Sequence, residues 1–423
     1  MIDIKQGNSI DVLKTYSDNS IDTIITDPPY GYGFMGKDWD KAVPSVEIWK
    51  ECYRVLKPGS FIAVMSAPRS DVQMHMIKNI SDAGFDVSFT PIYWTYATGF
   101  PKAANMGKAL DKKLGVEREI ISRNPNSREN CDKTNTLFES GTVGKTDFIT
   151  NGSSELEGSY AGFQPKPAVE VIIIAMKPIT HKTYLEQAMD NKHGITWLDD
   201  CRIPTREKLQ SQGLYNSSLV SIVPPRVGGK EYPVELGRFP ANLLISDDVL
   251  DDDVNRGNGY FPKKRGESEY FGLDKADSER VGKTPKVDNY SRFFSLDKWA
   301  EKNLPFIITP KAGKKEKDGG CEELPEKQFH DRGCSKNSIV EYPPDYTRKN
   351  HHPTVKPIKL MSYLITLLSR PGDIILDPFN GSGTTGCAAA ILGRDYIGIE
   401  LDKDFVKISK ARIEYWKHFS DRG

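Results

Sequence analysis

Short apolar runs alternate with amphipathic stretches over the first hundred residues, in the rhythm of strand and helix. Ile2-Asp-Ile-Lys5 reads as a strand, Ser9 to Tyr16 as a helix and Ile21 to Thr26 as a buried strand. A helix through Trp49 to Leu56 runs into Lys57-Pro58-Gly59, which stops it, and Phe61 to Met65 follows as the next strand. Asp71 to Ala83 has helical spacing and Asp86 to Trp94 reads extended. Such alternation builds a mainly parallel sheet wrapped by helices.

The rhythm then breaks. Residues 122–164 are rich in Asn, Ser, Thr and Gly and keep no hydrophobic period, which predicts a mobile loop over about 120–165. After the apolar run Ala168 to Met176, the stretch from 179 to 350 is irregular, with short apolar pieces such as Ala241 to Ile245 and Phe306 to Ile308. Order returns late: Ile358 to Leu368 helical, Asp373 to Leu376 a strand, Thr384 to Leu392 helical, Asp395 to Ile399 a strand and Asp404 to Trp416 a closing helix. The expected architecture is α/β, one Rossmann-like sheet built by residues 1–178 and 351–423, with 179–350 inserted.

Composition narrows the class. The chain has 423 residues, enough for two or three domains and a substantial core. Its 58 Lys+Arg match 58 Asp+Glu, which excludes a wholly basic nucleic-acid coat but leaves room for a local basic face. With 38% hydrophobic and 27% charged residues it reads as globular. Val171 to Met176 is far too short to span a bilayer, and the first residues show no secretory signal. Cysteines at 52, 131, 201, 321, 334 and 387 show no CxxC spacing, which suits a reducing compartment. The expected location is cytoplasmic.

Two strands end in similar punctuation: Ile24-Ile-Thr-Asp-Pro-Pro-Tyr30 and Ile374-Ile-Leu-Asp-Pro-Phe-Asn-Gly-Ser-Gly-Thr-Thr385. Ligands of open parallel sheets bind outside the carboxyl ends of the strands, so both motifs face one crevice. In the second motif, Gly381 and Gly383 let the backbone turn tightly and approach a ligand, and the helix after them presents free N–H groups. Glu400, seventeen residues after Gly383 at the next strand end, is placed to accept bonds from ribose hydroxyls. No GxxxxGK[ST] is present, which points away from a phosphate cradle and toward a nucleoside ligand. Small residues packing an ordinary strand–turn–helix are the alternative, disfavoured once the strand, the glycines and the spaced Glu400 are taken together.

In the first motif, two prolines fix the backbone and leave the Pro28 carbonyl without a local donor. Asp27 and that carbonyl can accept both N–H bonds of one planar amine on an aromatic ring, with Tyr30 as a stacking face. A strand-terminating turn alone would also use Asp-Pro-Pro.

Together, Asp27-Pro-Pro-Tyr30 and Asp377-Pro-Phe-Asn-Gly-Ser-Gly-Thr-Thr385, in that order along the chain, resemble the β-class of amino-group DNA methyltransferases. Gly7-Asn-Ser9 with Asp18-Asn-Ser-Ile-Asp22, Arg54-Val-Leu-Lys-Pro-Gly59 and His352-Pro-Thr-Val-Lys-Pro357 resemble flanking segments of that family. Lys166-Pro-Ala-Val-Glu170 and Gly237-Arg-Phe-Pro-Ala-Asn242 look like pieces of its phage and prophage members. The resemblance covers roughly residues 1–115, 165–178 and 350–416 and only weakly the middle.

The resemblance implies a Rossmann-like methyltransferase fold with circularly permuted motifs and a target-recognition insertion at 179–350. The implied reaction moves a methyl group from S-adenosyl-L-methionine to adenine N6 in double-stranded DNA, with cytosine N4 as the alternative amine and a silent DNA-binding subunit as a non-enzymatic one. It implies Asp27, Pro28, Pro29 and Tyr30 as the catalytic set. The implied cofactor set is Asn8, Asp27, Thr354, Lys356, Asp377, Phe379, Asn380, Gly381, Ser382, Gly383, Thr384 and Glu400. Asn8 departs from the Asp many relatives carry there, and its amide has both donor and acceptor character. A homodimer and a cognate restriction endonuclease are the protein partners the family brings into view.

Other features have plainer explanations. Lys102, Lys108, Lys112, Lys113, Arg118 and Arg123, and Lys311-Ala-Gly-Lys-Lys315, suit phosphate contacts or a solvated face. Tyr260, Phe261, Tyr270 and Phe271 suit packing under a loop better than stacking on DNA, and acidic Asp247 to Asp253 suits a solvated surface. Cys321, His330, Cys334, His351 and His352 match no common zinc spacing, so no metal is expected.

Overall fold

The computed structural model describes residues 1–31, 42–96, 104–123, 148–152, 154–163, 168–204, 209–210, 231–232, 237–246, 294–304, 313–329 and 346–419. Among the described residues, eight strands form one sheet: β1 (Ile2–Gln6), β2 (Thr23–Thr26), β3 (Phe61–Ser66), β4 (Ile92–Thr95), β5 (Val169–Met176), β6 (Leu243–Ile245), β7 (Ile374–Asp377) and β8 (Asp395–Glu400). Their order across the sheet is β1-β8-β7-β2-β3-β5-β4-β6. Every pairing is parallel except those of β5, which runs against both β3 and β4. The first and last strands in sequence, β1 and β8, lie side by side, so the sheet is closed from both ends of the chain as expected.

The centre is apolar on both faces because helices cover both. Thr23, Ile24, Ile25 and Thr26 of β2 are all buried, the mark of a parallel strand inside a sandwich of helices. Helices Val46–Val55 and Ser70–Asp82 cover one face, packing Trp49, Cys52, Met76 and Ile80 against Ile24, Ile62 and Val64. Ile358–Leu368 and Thr384–Ile391 cover the other. Ile358–Leu368 is buried nearly all round because a further helix, Leu296–Asn303, caps it and lays Trp299 edge-on against Tyr363 at 5.1 Å.

Several expectations need correction. Asp86 to Trp94 is not one strand: Asp86 makes an isolated bridge to Met176 and β4 begins only at Ile92. Pro91, which has no N–H to donate, stands directly before that start. The stretch 122–164 is not a loop throughout, since Phe148–Asn151 pairs antiparallel with Glu119–Arg123. Beside this ribbon, Arg118 bridges buried Asp111 of helix Met106–Leu114 and Glu157, so Arg118 holds its own subdomain together while Lys108, Lys112 and Lys113 stay exposed.

Four pieces of the stretch 179–350 are built into the core of this domain: the turn Leu198–Cys201, strand β6 and helix Leu296–Asn303 through apolar side chains, and the short helix Lys314–Asp318 through buried Glu316, which accepts the Ile358 N–H. Residues 124–147, Lys102, Asp247 to Asp253, Tyr260, Phe261, Tyr270, Phe271, Phe306 to Ile308, Lys311, His330 and Cys334 lie outside the described residues. Among the described residues no helix is long and apolar enough to cross a membrane, and no group of three His, Cys, Asp or Glu is arranged to hold a metal ion.

Candidate active site

Central strands β7 and β2 are neighbours, and each runs straight into one of the two motifs. Asp377, the last residue of β7, is 3% exposed, and its carboxylate accepts three bonds: Thr26 Oγ1 at 2.6 Å, Thr385 Oγ1 at 2.8 Å and the Phe379 N–H at 3.0 Å. Asp377 therefore clamps the two motifs together and fixes the first turn of the glycine segment. Burial pushes its pKa up to about 7 against the pull of those three donors.

The glycine segment is held from behind. Gly381 and Gly383 have φ of 51° and 76°, a region that favours glycine. A side chain at Gly381 would stand 2.8 Å from His352 Nε2, and one at Gly383 would meet Ser409 Oγ. Fully buried Arg412 of helix Lys403–Lys417 donates from Nη1 to Ser382 O at 2.6 Å, Ser382 Oγ at 3.0 Å and Thr384 Oγ1 at 3.2 Å. Asn380 is equally internal, accepting from Tyr396 Oη at 2.9 Å and Ser409 Oγ at 3.2 Å. Asn380, Ser382, Thr384 and Asp377 thus shape the turn, while Phe379 and Glu400 keep half-buried surface.

Glu400 ends β8 beside this turn. Its two oxygens accept from the Gly381 N–H at 2.7 Å and the Asp402 N–H at 2.9 Å, and each retains a second lone pair suited to a ribose hydroxyl. Burial raises its pKa. Exposed Asn8 caps helix Ser9–Leu13, its side-chain oxygen taking the Ile10 N–H at 2.9 Å. That use of the oxygen narrows the earlier expectation: the amide donors of Asn8 are what remains for a ligand. Ser9, which the sequence offered only as a helix start and part of a flanking segment, ties this cap to the glycine segment by donating to Pro378 O at 2.6 Å.

The Asp-Pro-Pro-Tyr turn closes on itself. Tyr30 Oη donates to Asp27 Oδ1 at 2.6 Å, and Lys356 Nζ donates to Asp27 Oδ2 at 2.7 Å. Lys356 also lies 3.3 Å from Glu170 Oε2, which in turn is 3.3 Å from Tyr30 Oη. The side chain of Lys356 is 9% exposed and those of Asp27 and Glu170 17% each, enclosed yet within reach of a ligand. Burial alone would lower the pKa of Lys356, but Asp27 and Glu170 overcome it and hold the ammonium above its ordinary value. Thr354, on the same segment, is exposed, and its N–H meets His352 Nδ1 at 3.4 Å. Burial depresses the pKa of His352 to about 3, so its ring is neutral.

The structure brings Asp27, Pro28, Pro29, Tyr30, Asp377, the glycine segment and Glu400 to one edge of the sheet, where the sequence put them. Glu170 entered the sequence reading only as part of a flanking segment. A lone carboxylate opening an apolar run carries no periodic signal, and Thr26, Thr385 and Arg412 likewise gave none.

The sequence model of the family described as DNA methylase, covering N6 and N4 enzymes, matches residues 21–411. Among curated relatives, DNA adenine methyltransferase YhdJ of Escherichia coli (strain K12) is 46% identical over 70 residues, 16% of this chain and 24% of that one. Type II methyltransferase M2.MboI of Moraxella bovis is 52% identical over 61 residues, 14% and 22% respectively. The matched segments thus span about a quarter of these relatives' lengths. PvuII DNA methyltransferase (cytosine-N4-specific) overlays 99% of this chain and 91% of its own at 14% identity and a TM-score of 0.39, too loose a fit to add to the strand order.

Proposed function

Because the chain belongs to the DNA methylase family of N6 and N4 enzymes, we propose that it methylates adenine N6 at specific sites in double-stranded DNA, using S-adenosyl-L-methionine. The observation that carries this reading is the placement of Asp27 and Tyr30 beside the glycine segment and Glu400, an amine site next to a nucleoside site on one sheet edge.

The cofactor supplies an electrophilic methyl group on a sulfonium. Glu400 and the segment from Phe379 to Thr384 hold its nucleoside, with Asn8 and Thr354 at the margins. The protein's task is alignment and charge. Adenine N6 is a poor nucleophile because its lone pair is delocalised into the ring. Asp27 and the Pro28 carbonyl accept its two N–H bonds, localise that lone pair and stabilise the positive charge that grows on nitrogen. Pro28 and Pro29 fix the direction of the carbonyl. A base within a duplex cannot reach this enclosed turn, so the target is flipped out and Tyr30 supplies a face for it.

Lys356 bears on how the base arrives. Its ammonium sits on Asp27 Oδ2, where the amine binds, so an incoming base makes Lys356 shift while it stays on Asp27. We assign target recognition to the portion of 179–350 outside the four core pieces, with exposed Lys108, Lys112 and Lys113 as phosphate contacts.

Transfer of labelled methyl to mixed-sequence duplex DNA, followed by single-molecule mapping of modified bases, tests this reading. Modified adenines within one short motif are expected. N4-methylcytosine alone would move the reaction to the other amine, and cofactor binding without transfer would leave a silent subunit.

A further inference from the structure

The amine site contains one more carboxylate than recognition of an amine requires. Asp27 and the Pro28 carbonyl suffice for two N–H bonds, yet Glu170 stands behind them, bonded to the same ammonium and facing the same tyrosine hydroxyl. Before transfer, two carboxylates face one ammonium, so the cluster is negative by one charge and complements a sulfonium. Once the methyl group has left, sulfur is neutral, and a proton from nitrogen must go somewhere within an enclosed site.

Resting on the reading above, we propose that Glu170 holds the proton released by the methylated amine, delivered through Asp27 and the Tyr30 hydroxyl. In the balanced step an N–C bond forms from the nitrogen lone pair, and the donor's S–C bond breaks with its electrons on sulfur. An N–H bond breaks with its electrons on nitrogen, and the proton goes to Asp27. Tyr30 then takes that proton while giving its own to Glu170, across contacts of 2.6 Å and 3.3 Å. The enclosed cluster ends with one carboxylate, one carboxylic acid and one ammonium, so it is neutral without the sulfonium.

Three features select Glu170 as the terminus. Lys356 is already protonated and cannot take the proton. That ammonium lies closer to Asp27, at 2.7 Å, than to Glu170, at 3.3 Å, so the remaining negative charge is better placed on Asp27. Burial holds Glu170 above the usual carboxylate range, with Lys356 pulling against it and Asp27 adding to it. Among the described residues, the other titratable groups around the cluster are Asp377 behind Asp27 and neutral His352 beside Lys356. Glu170 acts through Asp27 and Tyr30 and is a positioning residue for the proton.

Glu170→Gln and Glu170→Asp, compared with wild type, test the proposal. Expected for Glu170→Gln are S-adenosylhomocysteine binding within about threefold of wild type and single-turnover transfer down roughly 100-fold near neutral pH, a typical acid–base contribution. That deficit should shrink as pH rises, and Glu170→Asp should recover part of the rate. Without cofactor or DNA, an infrared titration of wild type minus Glu170→Gln should show a protonated-carboxyl band that persists above the ordinary carboxylate range. Absence of that band, or a Glu170→Gln rate within threefold of wild type with an unchanged pH profile, overturns the role of Glu170 alone. No methyl transfer by wild type to any base amine overturns the parent reading and this one with it.

Discussion

Asp27 answers to Tyr30 and Lys356 at once, one on each oxygen. Asp27→Ala should abolish methyl transfer while S-adenosylmethionine binds within a few-fold of wild type in a titration, because the nucleoside end rests on Glu400 and the glycine segment; comparable loss of both would reassign Asp27 to cofactor binding. Tyr30→Phe keeps a stacking face but removes the hydroxyl between Asp27 and Glu170. It should slow single-turnover transfer by roughly 10–100-fold while leaving the fluorescence change of a 2-aminopurine duplex, a report of base flipping, nearly intact. The sequence made Asp27 and Tyr30 legible because a proline pair at a strand end is a local pattern. Glu170 reaches Tyr30, and Lys356 reaches Asp27, only through contacts across 140 and more positions, and no local pattern encodes those.

The glycine turn separates conformation from packing. Gly383→Ala places a left-handed side chain against Ser409 Oγ and should cost about 2–4 kcal/mol, strain and overpacking together. Gly372 is a matched control: its φ is 90° but nothing lies within 4 Å of an added Cβ, so Gly372→Ala should cost only about 1–2 kcal/mol. Urea denaturation midpoints compare the two, and equal costs would mean that Ser409 yields freely. Arg412→Ala removes the donors that hold Ser382 and Thr384 and should lower stability by about 3 kcal/mol and weaken cofactor binding. Helices and strands flanking this turn were readable from periodicity to within a few residues. The ribbon Glu119–Arg123 with Phe148–Asn151 was not, because its strands are short, polar and separated by a composition that signals a loop.

Across the whole molecule, two buried groups of the site oppose each other in pH. The Asp377 carboxyl, raised by burial to about 7, binds its proton more tightly folded than unfolded, so its contribution to stability falls as pH rises from about 4 to about 7. The His352 ring, lowered by burial to about 3, does the reverse: its contribution is lost as pH falls from 6.5 toward 3. Relative to wild type, Asp377→Asn should therefore gain stability with rising pH over about 4–7, read as the difference in melting temperature; a flat difference would show that Asp377 titrates normally. The sheet's assembly from both ends was legible at this scale because apolar strands and helices recur at both ends of the chain. The contribution of 179–350 to the core was not, since β6 and Leu296–Asn303 are short pieces amid irregular sequence.

One strand of the eight faces the other way. A parallel strand can offer the crevice only its final residues and the loop beyond, which is why Asp27, Asp377 and Glu400 all sit at endings. β5 runs backwards between β3 and β4, with Val171 opposite Ser66 and Glu170 opposite Trp94, so it brings its opening residues to that same edge. A side chain there is anchored by a full strand behind it and paired with β4 alongside, on stiffer footing than a residue carried on a loop. Reversing one strand thus lets this sheet set a fixed carboxylate beneath groups that must move when a base arrives.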